Sequence, residues 1–93
     1  MTNRNRTEII SQILKVASEF DKGDGITQTA IMYRVFLNTI QIKEYLPTLT
    51  TYGLLRYDAV MRRFRITVKG LEYLKIYDTL GIMTEEEKEY TFH

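Results

Sequence analysis

The sequence predicts a mainly helical α+β domain built from three helices, a two-stranded hairpin and a C-terminal helix. Three observations carry this. Apolar residues recur at helical spacing in three successive segments up to Gly53, alternate with polar ones in two short runs, Leu55 to Asp58 and Arg63 to Thr67, and return to a helical stripe from Leu71 to Leu80. The chain has 93 residues, 44% of them hydrophobic. That is enough for one core, with roughly 60–65% of the unfolded surface buried, and a second domain does not fit. A charged fraction of 27% and an aromatic fraction of 12% are ordinary for a globular fold.

In the first segment Ile9, Ile10, Ile13, Leu14, Ala17 and Phe20 follow the i, i+3, i+4, i+7 pattern, so a helix is expected from about Thr7 to Phe20. Thr7 or Asn5 can cap it, and the turn formers Asp21-Lys22-Gly23-Asp24-Gly25 stop it. Thr27 caps a shorter second helix with Ala30, Ile31 and Val35 inward and Phe36 as a further candidate for that face, ending near Phe36 or Leu37. Asn38 caps a third, with Ile42, Tyr45, Leu46 and Leu49 inward and Gly53 just past its end. Leu55 and Tyr57 then alternate with Arg56 and Asp58, and Phe64 and Ile66 with Arg63, Arg65 and Thr67, giving two half-buried strands joined by a loop over 58–62. Thr67 caps the last long helix, Gly70 lies in its first turn, and Gly81 is expected to end it. Thr84 and Glu87 form a capping-box pair, so a separate short helix is expected from Glu85 to about Tyr90. Residues 1–6 read as a flexible basic arm, 7–80 as the domain and 81–93 as an acidic extension.

The net charge of +1 hides an asymmetry: residues 1–70 hold eleven Lys and Arg against six Asp and Glu, whereas 71–93 hold two against six. A basic body with an acidic tail suits a polyanionic partner. There is no cysteine and the sole histidine is His93, so thiol chemistry, a zinc centre and a histidine relay all lack their residues. No phosphate-binding glycine loop, H-E-x-x-H motif or nucleophile–base pair is present, and neither an enzyme nor a small-molecule cofactor is expected. No signal peptide or membrane-spanning stretch is read at the start of the chain, so a cytoplasmic protein, with no membrane partner, is expected.

Helix, helix, helix, strand, strand, helix is the order of a winged helix-turn-helix domain. Glu8-Ile9-Ile10, Thr29-Ala30-Ile31-Met32-Tyr33, Gln41-Ile42-Lys43-Glu44-Tyr45-Leu46, Tyr52-Gly53-Leu54-Leu55 and Phe64-Arg65-Ile66-Thr67-Val68-Lys69-Gly70 resemble, in that order, the small archaeal winged-helix DNA-binding proteins, over about Arg6 to Leu80. The resemblance implies double-stranded DNA as partner, a role in transcription regulation, and a homodimer formed through a long C-terminal coiled coil. Gly81 and Asp78 interrupt such a coil, leaving a shorter dimer contact through Leu71, Leu74, Tyr77 and Leu80, a stripe that packing on the first helix also explains.

The second helix of such a motif enters the major groove. With Ile42, Leu46 and Leu49 inward, Ile40, Glu44, Pro47 and Thr51 point outward, flanked by Thr39, Gln41 and Lys43. Gln41 suits adenine, Glu44 suits cytosine while repelling phosphate, Thr39 and Ile40 suit a thymine methyl, and Lys43 suits phosphate. Pro47 is expected to kink the helix or divide it in two, leaving Thr39 to Glu44 as the reading segment. The hairpin holds the stronger electrostatic signal: Arg56, Arg62, Arg63, Arg65 and Lys69 oppose only Asp58. Arg62, Arg63 and Arg65 are the main candidates for gripping the backbone or minor groove, with Arg34, Arg56 and Lys69 as further backbone contacts. Val60 and Met61, apolar at the hairpin tip, read as packing more readily than as a groove wedge, and Arg4 and Arg6 as solvated. A protein-docking module and a sequence-indifferent chromatin protein are the alternatives.

Overall fold

In the computed structural model the elements run α1 (Arg6–Glu19), α2 (Gln28–Val35), α3 (Thr39–Thr51), β1 (Leu55–Asp58), β2 (Arg63–Ile66) and α4 (Val68–Thr91). The structure describes residues 4–20 and 22–91, with side chains described up to residue 80. Ile13, Leu14, Ile31, Ile42, Leu46, Leu49 and Leu55 lie at the centre of one core shared by α1, α2, α3 and the hairpin. The four inward positions expected of α3 are all buried.

Local chemistry sets the helix ends. Asn5, not Thr7, caps α1, its Oδ1 accepting from the Glu8 N–H at 2.8 Å. The Thr27 hydroxyl accepts from the Ala30 N–H at the start of α2. α3 begins with a full capping box: Asn38 Oδ1 accepts from the Gln41 N–H at 2.8 Å, and Gln41 Oε1 accepts from the Asn38 N–H at 3.0 Å. At its other end Gly53 takes a positive φ of 75°, and Leu54 N–H closes on the Leu49 carbonyl at 2.9 Å. Pro47 does not divide α3, which is a single helix from Thr39 to Thr51. Tyr45, Leu46 and Leu49 bury on both sides of the proline. At about 1.5–3 kcal/mol for each buried side chain, they outweigh the roughly 3 kcal/mol cost of an interior proline.

β1 and β2 pair antiparallel with Leu55 opposite Ile66, Arg56 opposite Arg65, Tyr57 opposite Phe64 and Asp58 opposite Arg63. Leu55, Phe64 and Ile66 are buried on the inner face, as the alternation predicted, whereas Tyr57, on the same face, lines an open groove and is 44% exposed. The α1–α2 connection adds an unforeseen bridge, Ile26 exchanging both backbone hydrogen bonds with Phe64 at 2.9 and 2.7 Å.

α4 departs most from expectation. It runs unbroken from Val68 to Thr91, so Gly81 does not end it, no separate helix begins at Glu85, and the division between 80 and 81 falls inside a helix. One interior glycine costs only about 1 kcal/mol, and the helix formers around it, Leu80, Ile82, Met83 and Glu85 to Lys88, make up the difference. The first turns lie against the hairpin base, where Thr67 Oγ1 accepts from the Gly70 N–H at 3.0 Å and donates to the Gly53 carbonyl at 2.6 Å. Further along, Tyr73 and Leu74 pack on the core. Burial, then the neighbouring Tyr77, raise the Tyr73 phenol above its ordinary pKa. Among the described residues no helix is long and apolar enough to cross a membrane.

Candidate nucleic-acid interface

The outward side of α3 and the hairpin stand side by side. Between them runs an open groove of about 400 Å³, lined by Lys43, Pro47 and Thr51 on one flank and Tyr57 and Phe64 on the other. The tilted rings of Tyr57 and Phe64, 4.8 Å apart, stiffen the hairpin beside it. On α3, Thr39, Ile40 and Lys43 are exposed, Ile40 by 80%.

Gln41 and Glu44 are already engaged. The Gln41 carbonyl oxygen holds the cap of α3, so pairing with adenine through both its oxygen and its nitrogen requires it to leave Asn38. Glu44 accepts from the Arg6 guanidinium at 2.9 Å across the surface, and that hydrogen bond keeps Arg6 firmly protonated. Glu44 is therefore half of an ion pair rather than a bare negative charge. Arg6 also lies over the Tyr45 ring, 5.2 Å from its centroid. Arg4 donates to Gln12 Oε1 and to the Val35 carbonyl at 2.6 Å each, and to the Phe36 carbonyl at 3.1 Å. Arg4 is thus tied to the end of α2, whose C-terminal carbonyls need donors, and Arg6 to α3 through Glu44, rather than both being merely solvated. Met1 to Asn3 lie outside the described residues.

On the outer hairpin face Arg56 is paired with Arg65 and Asp58 with Arg63. The Asp58 carboxylate turns inward to its own loop, accepting from the N–H groups of Val60 (2.9 Å) and Met61 (3.1 Å). Arg62 follows at a left-handed φ of 55°. Val60 is 90% exposed, so the packing expected of it does not occur, since the loop carries it beyond the reach of the core.

The further candidates divide. Arg56 is exposed. Arg34 stacks on Phe20, 4.8 Å from the ring centroid. Lys69 Nζ donates to the Tyr52 carbonyl at 2.7 Å, capping the end of α3. Of the α4 stripe, Leu74 packs on the core, Tyr77 is half-buried beside α1, and Leu71 and Leu80 are exposed. Sequence reasoning missed the capping by Arg4 and the pairing of Arg6 with Glu44. Both join residues more than thirty positions apart, and no local pattern announces them.

No curated protein sequence matches the chain. The sequence profile of the winged helix-turn-helix family matches residues 3–88, nearly its whole length. The order of elements agrees, with α2 and α3 as the helix-turn-helix and β1 and β2 as the wing. The chain belongs to the winged helix-turn-helix family.

Proposed function

We propose that the protein binds double-stranded DNA as a transcription regulator, reading the major groove with the first half of α3 and holding the backbone with the wing. The observation that carries this reading is the placement of an arginine-rich hairpin alongside the exposed edge of α3, with its one acid, Asp58, occupied by backbone N–H groups. Thr39, Ile40 and Lys43 are the side chains that meet bases and nearby phosphates, and Arg56, Arg62, Arg63 and Arg65 meet phosphates flanking the adjacent minor groove. Two copies joined through Leu71, Tyr77 and Leu80 of α4 would read the two halves of a symmetric site.

The test is a salt titration of binding to mixed-sequence duplex, followed by selection from random duplexes. Affinity falls steeply with salt, and Arg63→Ala lowers the log-salt slope by about 0.9 for its lost phosphate contact. Absence of binding at low ionic strength refutes the reading, and binding without enrichment of any sequence reduces it to a sequence-indifferent DNA protein. A second reading, docking to another protein, is favoured by the exposure of Tyr33 (71%), Phe36 (84%) and Ile40 (80%) around the α2–α3 turn. It predicts a nuclease-resistant complex and no duplex shift.

A further inference from the structure

The tip of the wing is apolar, exposed and held in shape. Val60 is 90% exposed and Met61 45%, so neither side chain contributes to the core. A merely solvated turn favours Asn, Asp or Gly at such positions, because they hydrogen-bond water or supply positive φ. Here the turn's polar work is done by Asp58, which accepts from both tip N–H groups. Arg62 adopts the left-handed conformation that usually falls to glycine. The hairpin behind the tip is braced by the Ile26–Phe64 bridge and by the Tyr57–Phe64 ring contact. The result is a short, stiff projection that ends in two apolar side chains and carries Arg56, Arg62 and Arg63 along its flanks.

We propose that Val60 and Met61 form a wedge that enters the minor groove of duplex DNA and partly unstacks one base step, bending the duplex. The inference rests on the DNA-binding reading given above. The guanidinium groups choose the occupant: they hold the phosphates on either side of the groove, and the apolar tip between them is left facing the base edges. The minor groove is about 6 Å wide, enough for aliphatic side chains but not for a helix. Apolar side chains inserted from basic supports kink duplexes by roughly 20–90°. Nothing in the wedge needs a particular sequence, so it adds bending at flexible steps and leaves base readout to α3.

The experiment measures end-to-end energy transfer in a short mixed-sequence duplex labelled at both ends, for the full chain and for Val60→Ser/Met61→Ser. The wild-type complex is bent, and the double variant gives a straight complex with an unchanged log-salt slope, since no phosphate contact is lost. Arg63→Ala does the opposite, lowering the slope while the complexes that form stay bent. A straight wild-type complex, or a variant that bends as well as the wild type, overturns the wedge and leaves DNA binding intact. If no duplex binds at low salt, the wedge and the DNA reading fall together. If sedimentation without DNA shows a wild-type dimer and a monomeric tip variant, the tip joins two copies and the wedge is overturned. Unfolding curves of the variant, altered only at exposed positions, are expected to superimpose on those of the wild type.

Discussion

Gly70→Ala separates helix propensity from tertiary fit, because the two predict opposite signs. Alanine in a helix interior is favoured over glycine by about 1 kcal/mol, so local reasoning predicts a more stable protein. In the fold, a Cβ on Gly70 falls 2.3 Å from the Leu54 carbonyl oxygen and 2.7 Å from Ile66 Cγ1, where ordinary contact begins at 3.4 Å. The first turn of α4 must therefore retreat by about 1 Å from the hairpin base, and the nearest obstacle is backbone that no rotamer change can move. Retreat also strains the Thr67 N–H bond to the Leu54 carbonyl, already 3.3 Å long, and the Lys69 cap on Tyr52. Overpacking against backbone belongs at the upper end of the usual 1–3 kcal/mol, so after the propensity gain a net loss of about 2 kcal/mol is expected. For a domain of this size that lowers Tm by about 8–16 °C. Thermal and urea unfolding measure it, with Gly23→Ala as control. Its Cβ meets only the Phe20 carbonyl oxygen at 3.9 Å and its φ is not positive, so it holds or slightly gains stability. A Gly70→Ala protein as stable as the wild type would refute the close seating of α4 on the hairpin.

Other expected outcomes follow from single interactions. Asn38→Ala removes one side of the α3 capping box and costs about 1 kcal/mol in urea unfolding, whereas an unchanged midpoint would mean the cap is idle. Phe36→Gly relieves a left-handed residue at φ 58°; strain of about 1–2 kcal/mol against a glycine entropy cost of about 0.5–1 leaves a small gain in Tm. Arg6→Ala exposes the Glu44 carboxylate on the α3 face and weakens duplex binding most at low salt, while Glu44→Gln strengthens it; equal effects of the two would count against this pairing. Tyr73 titrates above 10.0 in the folded chain, so its contribution to stability is complete below that pH and is lost as pH rises through the folded value. Tyr73→Phe should flatten that alkaline decline in urea midpoints.

Much of the fold was legible because its determinants are local. The periodicity of Ile42, Tyr45, Leu46 and Leu49 placed α3 on the core, and Asn38 and Gly53 marked its ends. The alternation of Leu55, Tyr57, Phe64 and Ile66 located both strands and left the arginines outside. Pro47 misled only in suggesting a division of α3, because its cost is local, whereas the burial that outweighs it comes from contacts with other elements. Gly81 misled in a similar way, since a stop signal acts only where the flanking residues do not favour continuing the helix.

The sequence by itself determined the order of the elements, the inward positions of α3 and which segment is basic, because spacing, caps and charge are properties of neighbouring residues; it did not determine where α4 ends or that Phe36 stands in solvent. The tertiary structure decided which candidates are available. It drew Glu44 into a pair with Arg6 and Lys69 onto Tyr52, and it set the tip of the hairpin, with Val60, out in solvent. Most of these outcomes depend on groups far apart in the chain that meet only when the core has formed, so no local pattern records them.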